Sequence, residues 1–209
     1  MLVLHYTGMS SRAAALARLC DPAAKVSAHY LIDEAGEVTP LVAENRRAWH
    51  AGVACWAGER DVNSRSIGIE LVNPGHYLGY RRFPEAQMRA LEVLAGEIVA
   101  RHPIPSHRIL GHSDVAPARK ADPGELFDWR RLAEAGVGLW PNSAPPRTWS
   151  SEATRAGLGR LGYELSETDS IAVLVAFQRH WRASRVEGLA DRETVGRLAA
   201  LLDLAAESA

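Results

Sequence analysis

The sequence lacks the features that mark disulfide-stabilised, nucleic-acid-binding and membrane-spanning proteins. Its 209 residues include only two cysteines, Cys20 and Cys55, which have no CxxC or other metal-type spacing, and we expect both to be buried, reduced thiols. The formal net charge is −1, so no basic excess attracts nucleic acid. No apolar run approaches the ~18 residues that a membrane-spanning helix requires. We therefore expect no nucleic-acid partner and no membrane segment.

The first residues also lack the parts of an export signal. The segment MLVLHYTGMS has no basic stretch, no long apolar stretch and no small-residue cleavage site. With Met1 as the native start, this favours a cytoplasmic protein. A periplasmic or envelope-associated location is the alternative if a leader precedes these residues.

The composition is that of an ordinary globular protein, with 47% hydrophobic and 23% charged residues. At this length we expect a main domain with a small appendage, and we expect a monomer. Strand patterns alternate with helix patterns, which predicts a mixed α/β fold, a central mixed sheet covered by helices. The predicted strands are 2–6, 27–32, 38–42, 66–72 and 108–110, and the predicted helices of this part are 12–20, 84–101 and 129–134.

The C-terminal part has a different organisation. Residues 141–150 contain Pro141, Pro145 and Pro146 and are predicted to form a linker between a domain at 1–140 and a second one at 151–209. The last 60 or so residues show three helical patterns and are predicted to form a small three-helix domain. In the middle helix, Ile171, Leu174, Val175 and Gln178 fall on one side.

Two histidines and an aspartate have the placement of a metal site. His5 ends one predicted strand, His112 follows another, and Asp122 comes ten residues later at the end of a loop at 113–124. Two imidazoles and a carboxylate with an open fourth position form a suitable catalytic zinc site. The alternative is that these are surface or structural side chains, which is the commoner situation for a single histidine.

Glu70 and Lys120 are candidates for acid–base and electrostatic roles beside such a metal. Glu70 closes the apolar run Ile67–Ile69 and so points to one face of a strand, where it can act as a general base. Lys120, two residues before Asp122, can stabilise a developing oxyanion. The alternatives are a solvent-facing glutamate on an edge strand and a solvated loop lysine.

Taken together, six segments resemble the AmpD/AmiD-like type 2 family of N-acetylmuramoyl-L-alanine amidases, relatives of the peptidoglycan recognition proteins. They occur in the family order over residues 2–140. The segments are Leu4–Thr7, Val26–Ile32, Ala48–Gly52, Asn63 with Ser66–Leu71, Gly111–Asp114, and Ala116–Gly124.

This resemblance implies a zinc-dependent hydrolase that cleaves the amide between N-acetylmuramic acid, or its anhydro form, and L-alanine in peptidoglycan or muropeptides. It implies one Zn²⁺ per chain. The family's zinc ligands fall on His5, His112 and Asp122, and its catalytic pair falls on Glu70 and Lys120. Its groove-lining positions fall on His29 and His50, and Lys25 stands where a basic residue meets a peptide carboxylate.

The C-terminal part resembles the small three-helix peptidoglycan-binding domain, through Leu161–Tyr163, Ala176–His180 and Gly188–Asp191. A helical appendage that only packs against the main domain is the alternative. For the whole chain, the alternative function is a non-catalytic peptidoglycan-recognition protein. The presence of all three ligands together with Glu70 and Lys120 favours catalysis.

Overall fold

The computed structural model describes residues 1–166 and 170–207 and contains a five-stranded mixed sheet. The strands are β1 (Leu2–Tyr6), β2 (Tyr30–Ile32), β3 (Val38–Pro40), β4 (Ile67–Leu71) and β5 (Ile109–Gly111). Their order is β3-β2-β4-β1-β5, and every neighbouring pair is parallel except the antiparallel hairpin β2–β3. The predicted mixed α/β fold is confirmed.

Helices cover both faces of this sheet. They are α1 (Arg12–Leu19), α2 (Gly75–Leu78), α3 (Glu85–Arg101), α4 (His112–Val115), α5 (Trp129–Glu134), α6 (Ser151–Leu161), α7 (Ser170–Trp181) and α8 (Arg192–Glu207). Helices α1, α5 and α6 are capped by the residues that precede them, Ser11, Asp128 and Ser150, whose side chains accept hydrogen bonds from the first turn. Within the described ranges, no helix has the length and apolar character needed to cross a bilayer.

Two short helices were not predicted from the sequence. Helix α2 is a single turn, and α4 occupies the start of the segment predicted as the loop 113–124. Helix α4 forms because the Asp114 carboxylate accepts a hydrogen bond from the Gly111 backbone N–H at 2.7 Å, which caps the turn. That capping bond fixes the direction in which His112, the first residue of α4, leaves the sheet.

The alternation of side chains along β1 and β4 divides the core between the two faces of the sheet. Leu2 and Leu4 of β1 pack with the buried side of α3, including Leu91 and Ile98. Val3 points to the opposite face, where it joins a cluster with Phe177 and other side chains of α6–α8. Since side chains alternate, His5 lies on the same face as Val3, toward the C-terminal helices.

The C-terminal helices therefore complete the second face of the sheet. Residues 141–150 contain no helix or strand, and their role as a linker stays a prediction. The division into domains at this linker stays a prediction, and residues 167–169 and 208–209 of the predicted domain 151–209 lie outside the described residues.

The side of the middle helix, α7, on which Ile171, Leu174, Val175 and Gln178 lie is only partly buried. Ile171 is 67% exposed, whereas Val173, Phe177 and His180 are buried. The physical reason is that His180 is drawn inward by a carboxylate: its Nδ1 lies 2.7 Å from Asp114 Oδ2. Periodicity of apolar residues does not register a buried polar side chain of this kind.

The cysteine prediction was half right. Both thiols are unpaired, but only Cys55 is buried and Cys20 is exposed, because Cys20 lies at the C-terminal end of α1, on the surface.

Candidate active site

The parallel register brings His5 and His112 side by side. Leu2, Val3 and Leu4 of β1 pair with Ile109, Leu110 and Gly111 of β5, so the next residues on the two strands are His5 and His112. Asp122 returns to them because its backbone carbonyl accepts a hydrogen bond from the Ser113 N–H at 2.9 Å. The three side chains predicted as metal ligands are thus brought together at the carboxyl ends of two adjacent strands.

The three side chains converge through one atom each. His5 Nδ1 lies 2.9 Å from His112 Nδ1, and Asp122 Oδ2 lies 3.0 Å from each of these nitrogens. All three residues are buried. Such a triangle of two imidazole nitrogens and one carboxylate oxygen has the size and donor chemistry of a zinc site with an open fourth position.

Hydrogen bonds on the far side of each ring determine which nitrogen carries the proton. His112 Nε2 donates to the Ala51 carbonyl at 2.9 Å, so its Nδ1 presents a lone pair. His5 Nε2 lies 2.9 Å from His50 Nδ1, and His50 Nε2 lies 3.2 Å from Ser66 Oγ. Ser66, the last residue in this series of hydrogen bonds, determines where the protons lie on the two histidine rings.

Ser66 fixes which atom donates and which accepts in each of these hydrogen bonds. Its hydroxyl lies 2.6 Å from the Val62 carbonyl, which can only accept, so Ser66 donates there and accepts from His50 Nε2. Burial and the neighbouring His5 hold the pKa of His50 well below its ordinary value, so the ring is neutral and its Nδ1 accepts from His5 Nε2. His5 Nδ1 therefore presents a lone pair to His112 and Asp122.

The residues present fit a metal cation. Two nitrogen lone pairs and a carboxylate oxygen face one another with no proton assigned between them, an arrangement that a cation stabilises. Burial, together with the neighbouring His112, lowers the pKa of His5 to about 4. Burial alone would raise the pKa of Asp122, but His112 and His5 lower it more strongly, so the pKa lies below its ordinary value. Neutral imidazoles and an ionised carboxylate are the forms that bind zinc.

Glu70 lies next to His5 on the neighbouring strand. The two residues are register partners of β4 and β1, so their side chains point to the same face of the sheet. Its Oε2 is shielded from solvent and has no hydrogen-bond partner among the described residues. Burial and the Asp122 charge raise the pKa of Glu70 to about 8, which suits a group that both accepts and returns a proton near neutrality.

A cavity of about 520 Å³ opens over this site. Its walls include Glu70, His112, Lys120 and Asp122, so the structure brings the two predicted catalytic residues to the same space as the metal-binding group. Two exposed aromatic side chains, Trp49 and Tyr77, stand on its walls. The arrangement can bind a substrate carbonyl between a cation and an ammonium group, beside a carboxylate that accepts protons.

His50 is on the cavity wall, as predicted, but its ring nitrogens are both used to hold His5 and contact Ser66. The segment that carries it is fixed by Asn63, whose side-chain oxygen accepts the backbone N–H groups of His50 and Ala51 at 3.1 and 2.8 Å. A Cβ at Gly68 would lie 2.4 Å from the His50 ring, so glycine is required there.

His29 is placed differently from the expectation, whereas Lys25 lies beside the cavity and its predicted role stays a prediction. His29 is fully buried: its Nδ1 accepts the Gly68 N–H at 2.9 Å and its Nε2 contacts the Arg46 carbonyl at 3.0 Å. It therefore holds strand β4 and does not line the cavity. Lys25 lines a neighbouring depression of about 310 Å³, which shares Ser27 and Trp49 with the main cavity.

The cavity also contains residues that the sequence did not single out. Arg179, from α7, lies on its wall, and Ser66 lies behind His50. Both lie in segments that carry a family resemblance, Ser66–Leu71 and Ala176–His180, but their places at the site depend on distant residues, His50 for Ser66 and Glu125 for Arg179.

Comparison with known proteins agrees with this site. The family model for N-acetylmuramoyl-L-alanine amidases (Amidase_2) matches residues 1–125. The chain is 36% identical to the N-acetylmuramoyl-L-alanine amidase AmiD of Escherichia coli K12, over 97% of this chain and 82% of that protein. It is 44% identical to the 1,6-anhydro-N-acetylmuramyl-L-alanine amidase AmpD of Haemophilus influenzae, over 51% of this chain and 56% of that protein.

Solved structures extend the likeness over the C-terminal helices. The E. coli AmiD complex with the substrate anhydro-N-acetylmuramic acid-L-Ala-D-γ-Glu-L-Lys superposes with a TM-score of 0.90 at 36% identity, covering 98% of this chain and 88% of that one. AmpDh3 of Pseudomonas aeruginosa, in complex with anhydromuramic pentapeptide, gives 0.91 at 34% identity, covering 98% and 91%. The chain is therefore a member of the N-acetylmuramoyl-L-alanine amidase family.

Proposed function

We propose that this protein is a zinc-dependent amidase that hydrolyses the amide between the lactyl group of N-acetylmuramic acid, or its anhydro form, and L-alanine. The observation that carries the proposal is the convergence of His5 Nδ1, His112 Nδ1 and Asp122 Oδ2 within 3.0 Å of one another, under a cavity that also holds Glu70 and Lys120. A binding protein without chemistry has no need of the last two groups in that place.

His5, His112 and Asp122 would hold one Zn²⁺ per chain. When bound, zinc supplies Lewis acidity to a water molecule and to the carbonyl of the scissile amide. The protein's own contribution is orientation: the carbonyl of Ala51 fixes His112, and the chain His50–Ser66 fixes His5.

Glu70 would move the protons of the hydrolysis. Its carboxylate takes one proton from water as the oxygen attacks the lactyl carbonyl carbon. It then gives a proton to the alanine nitrogen as the C–N bond breaks, so the products are a carboxylic acid and a free amine. A carboxyl whose pKa is raised by burial is adapted to both steps.

Lys120 would stabilise the negative charge that develops on the carbonyl oxygen. It lines the cavity beside Asp122, and its ammonium group is close enough to oppose in part the rise in the pKa of Glu70 that burial and Asp122 cause. Lys25, in the adjoining depression, is positioned to meet an anionic part of a longer peptide.

The substrate class is supported by relatives at full chain coverage. The AmiD structure contains an anhydromuramyl tripeptide and the AmpDh3 structure an anhydromuramic pentapeptide. We accordingly propose muropeptides of this kind as substrates for this chain.

Replacement of Glu70 tests the proposal. Glu70→Gln has nearly the same shape, and because Oε2 has no partner to lose, we expect an intact fold and bound zinc. Turnover of an anhydromuramyl tripeptide should fall by about 10²–10⁴-fold, the usual contribution of a positioned general base. Glu97→Gln, on the exposed side of α3, is the matched control and should keep normal turnover. Near-normal turnover by Glu70→Gln would remove this residue from the mechanism.

A further inference from the structure

Helix α7 contributes one charged side chain to the active-site cavity. Arg179 lines the same space as Glu70, Lys120 and Asp122, although it comes from the C-terminal helices that pack on the opposite side from α3. Its side chain is 20% exposed, so the guanidinium is partly desolvated yet open to the cavity. The C-terminal helices thus form part of the cavity wall.

The guanidinium is held from one side only. Arg179 Nε donates to Glu125 Oε2 at 3.4 Å, and its two terminal nitrogens have no hydrogen-bond partner among the described residues. A guanidinium offers five N–H donors in a planar fork that matches a carboxylate. Most of its donors are therefore free to bind a ligand.

Glu125 is itself fixed and cannot turn to satisfy the remaining donors. His76 Nε2 lies 3.2 Å from both of its carboxylate oxygens, and His76 Nδ1 lies 2.9 Å from the Tyr6 hydroxyl. These hydrogen bonds anchor the Nε side of Arg179 to β1, and the terminal nitrogens of this cavity-lining residue have no partner among the described residues.

The backbone under Arg179 is tied to the metal-binding floor. The next residue, His180, contacts Asp114 Oδ2 at 2.7 Å, and Tyr163 donates to Asp114 Oδ1 at 2.7 Å. Asp114 lies two residues after His112 in α4. The backbone at Arg179 is therefore tied to the helix that carries His112.

The charges of the cavity favour an anionic ligand. Four cationic residues line it, against two carboxylates: Arg18, Arg119, Lys120 and Arg179 against Glu70 and Asp122. Arg119 is engaged with the carbonyls of Ala51 and Val53, and Asp122 belongs to the metal-binding group. Arg179, from α7, is a cation of the cavity wall whose terminal nitrogens have no hydrogen-bond partner among the described residues.

We propose that Arg179 binds a carboxylate of the peptide stem of the substrate, so that the C-terminal helices take part directly in substrate recognition. This inference rests on the proposed amidase function for the identity of the ligand. Arg179 is a specificity residue that touches the stem away from the scissile amide, and its loss should weaken binding of the acid without displacing the metal.

Calorimetric titration of the zinc-loaded Glu70→Gln protein tests this without turnover. The probe is anhydro-N-acetylmuramyl-L-Ala-D-γ-Glu-L-Lys, the ligand seen in AmiD, and the same compound with both stem carboxylates converted to amides. Adding Arg179→Ala should weaken binding of the acid about tenfold, as expected for a charge-assisted hydrogen bond on a partly exposed surface, and change binding of the diamide less than twofold. Arg179→Lys should restore part of the loss, since it keeps the charge but not the fork.

Arg160→Ala, on the exposed side of α6, is the matched control and should leave both affinities unchanged. Equal weakening for acid and diamide, or no weakening for the acid, would overturn the role of Arg179. Zinc content and thermal unfolding of each variant separate these outcomes from misfolding. Turnover by the wild-type protein is a separate measurement. A lack of turnover would overturn the amidase function, whereas the affinities for the acid and the diamide would still show whether Arg179 binds a carboxylate.

Discussion

Two parts of the cavity carry ionisable groups: the floor, formed by His5, His112 and Asp122, and the wall at Arg179. The protein positions the ionisable groups of these two parts in different ways. On the floor the side chains are buried, and hydrogen bonds behind both imidazole rings fix their proton positions. On the wall, Arg179 and Glu125 form an ion pair that is partly exposed and leaves donors free.

The difference follows from what each region has to bind. A cation needs ligands that are oriented and deprotonated before it arrives, which a buried network provides. A peptide carboxylate needs free donors and access from solvent, which a partly exposed guanidinium provides. Substitutions in the floor should therefore act on metal binding, whereas substitutions in the C-terminal helices should leave the metal in place.

The largest effect is expected from removing a ligand of the floor. His112→Ala should lose stoichiometric zinc, and turnover should fall by at least about 10³-fold, because the Lewis acid contributes several kcal/mol to the transition state. Elemental analysis and a turnover assay measure the two effects. Chelator-treated wild-type protein is the control: added zinc should restore its activity but not that of the variant. Full zinc occupancy in His112→Ala would contradict the assignment of this ligand.

A smaller effect is expected from the residue that fixes the proton on His50. Ser66→Ala removes the acceptor for His50 Nε2 without touching a ligand, so His5 no longer has a single preferred tautomer. The zinc dissociation constant should rise, but by less than the about 10–100-fold that follows loss of a direct partner of a metal-binding histidine, because Ser66 acts on His5 only through His50.

Competition with a chromogenic chelator measures that constant, and ¹⁵N NMR of the histidine rings reports the tautomer. Ser10→Ala, at an exposed serine, serves as the control. An unchanged zinc affinity together with an unchanged His5 tautomer would show that Ser66 does not act through His50.

The smallest effect on chemistry is expected in the contact between α4 and the C-terminal helices. Tyr163→Phe removes the hydrogen bond to Asp114 Oδ1 but leaves the bonds of Gly111 and His180 to Oδ2. The free energy of unfolding should fall by about 1.5–3 kcal/mol, as for a hydrogen bond to a charged group, with little change in zinc content or turnover. Urea unfolding measures it, with Tyr77→Phe at an exposed tyrosine as the control for stability alone, because Tyr77 lines the cavity. An unchanged unfolding free energy would contradict the importance of this contact.

Local patterns predicted the elements that support the floor. The run Leu2–Tyr6 is the strand β1 as predicted, the helix predicted at 84–101 is α3 with its first residue at Glu85, and the helix 129–134 is α5. These elements depend on residues within a few positions of one another, so periodicity and capping residues are enough to find them.

Contacts between distant segments were harder to predict. The inward turn of His180 depends on Asp114, 66 positions away, and the role of His50 depends on His5, 45 positions away. His29 was expected beside the substrate, but it hydrogen-bonds to the backbone of Gly68 and Arg46 and is buried. A histidine motif identifies the residue, whereas its partner decides whether it binds metal, orients a ligand or holds a strand.

The most direct test of the account is product analysis with zinc-loaded and chelator-treated protein. Incubation with anhydro-N-acetylmuramyl-L-Ala-D-γ-Glu-L-Lys, followed by mass spectrometry, should yield equal amounts of anhydro-N-acetylmuramic acid and a tripeptide with a free alanine amine, and only with zinc present. Intact substrate, or cleavage at another bond, would contradict the proposed reaction. Equal cleavage by the metal-free protein would contradict the role of the floor formed by His5, His112 and Asp122.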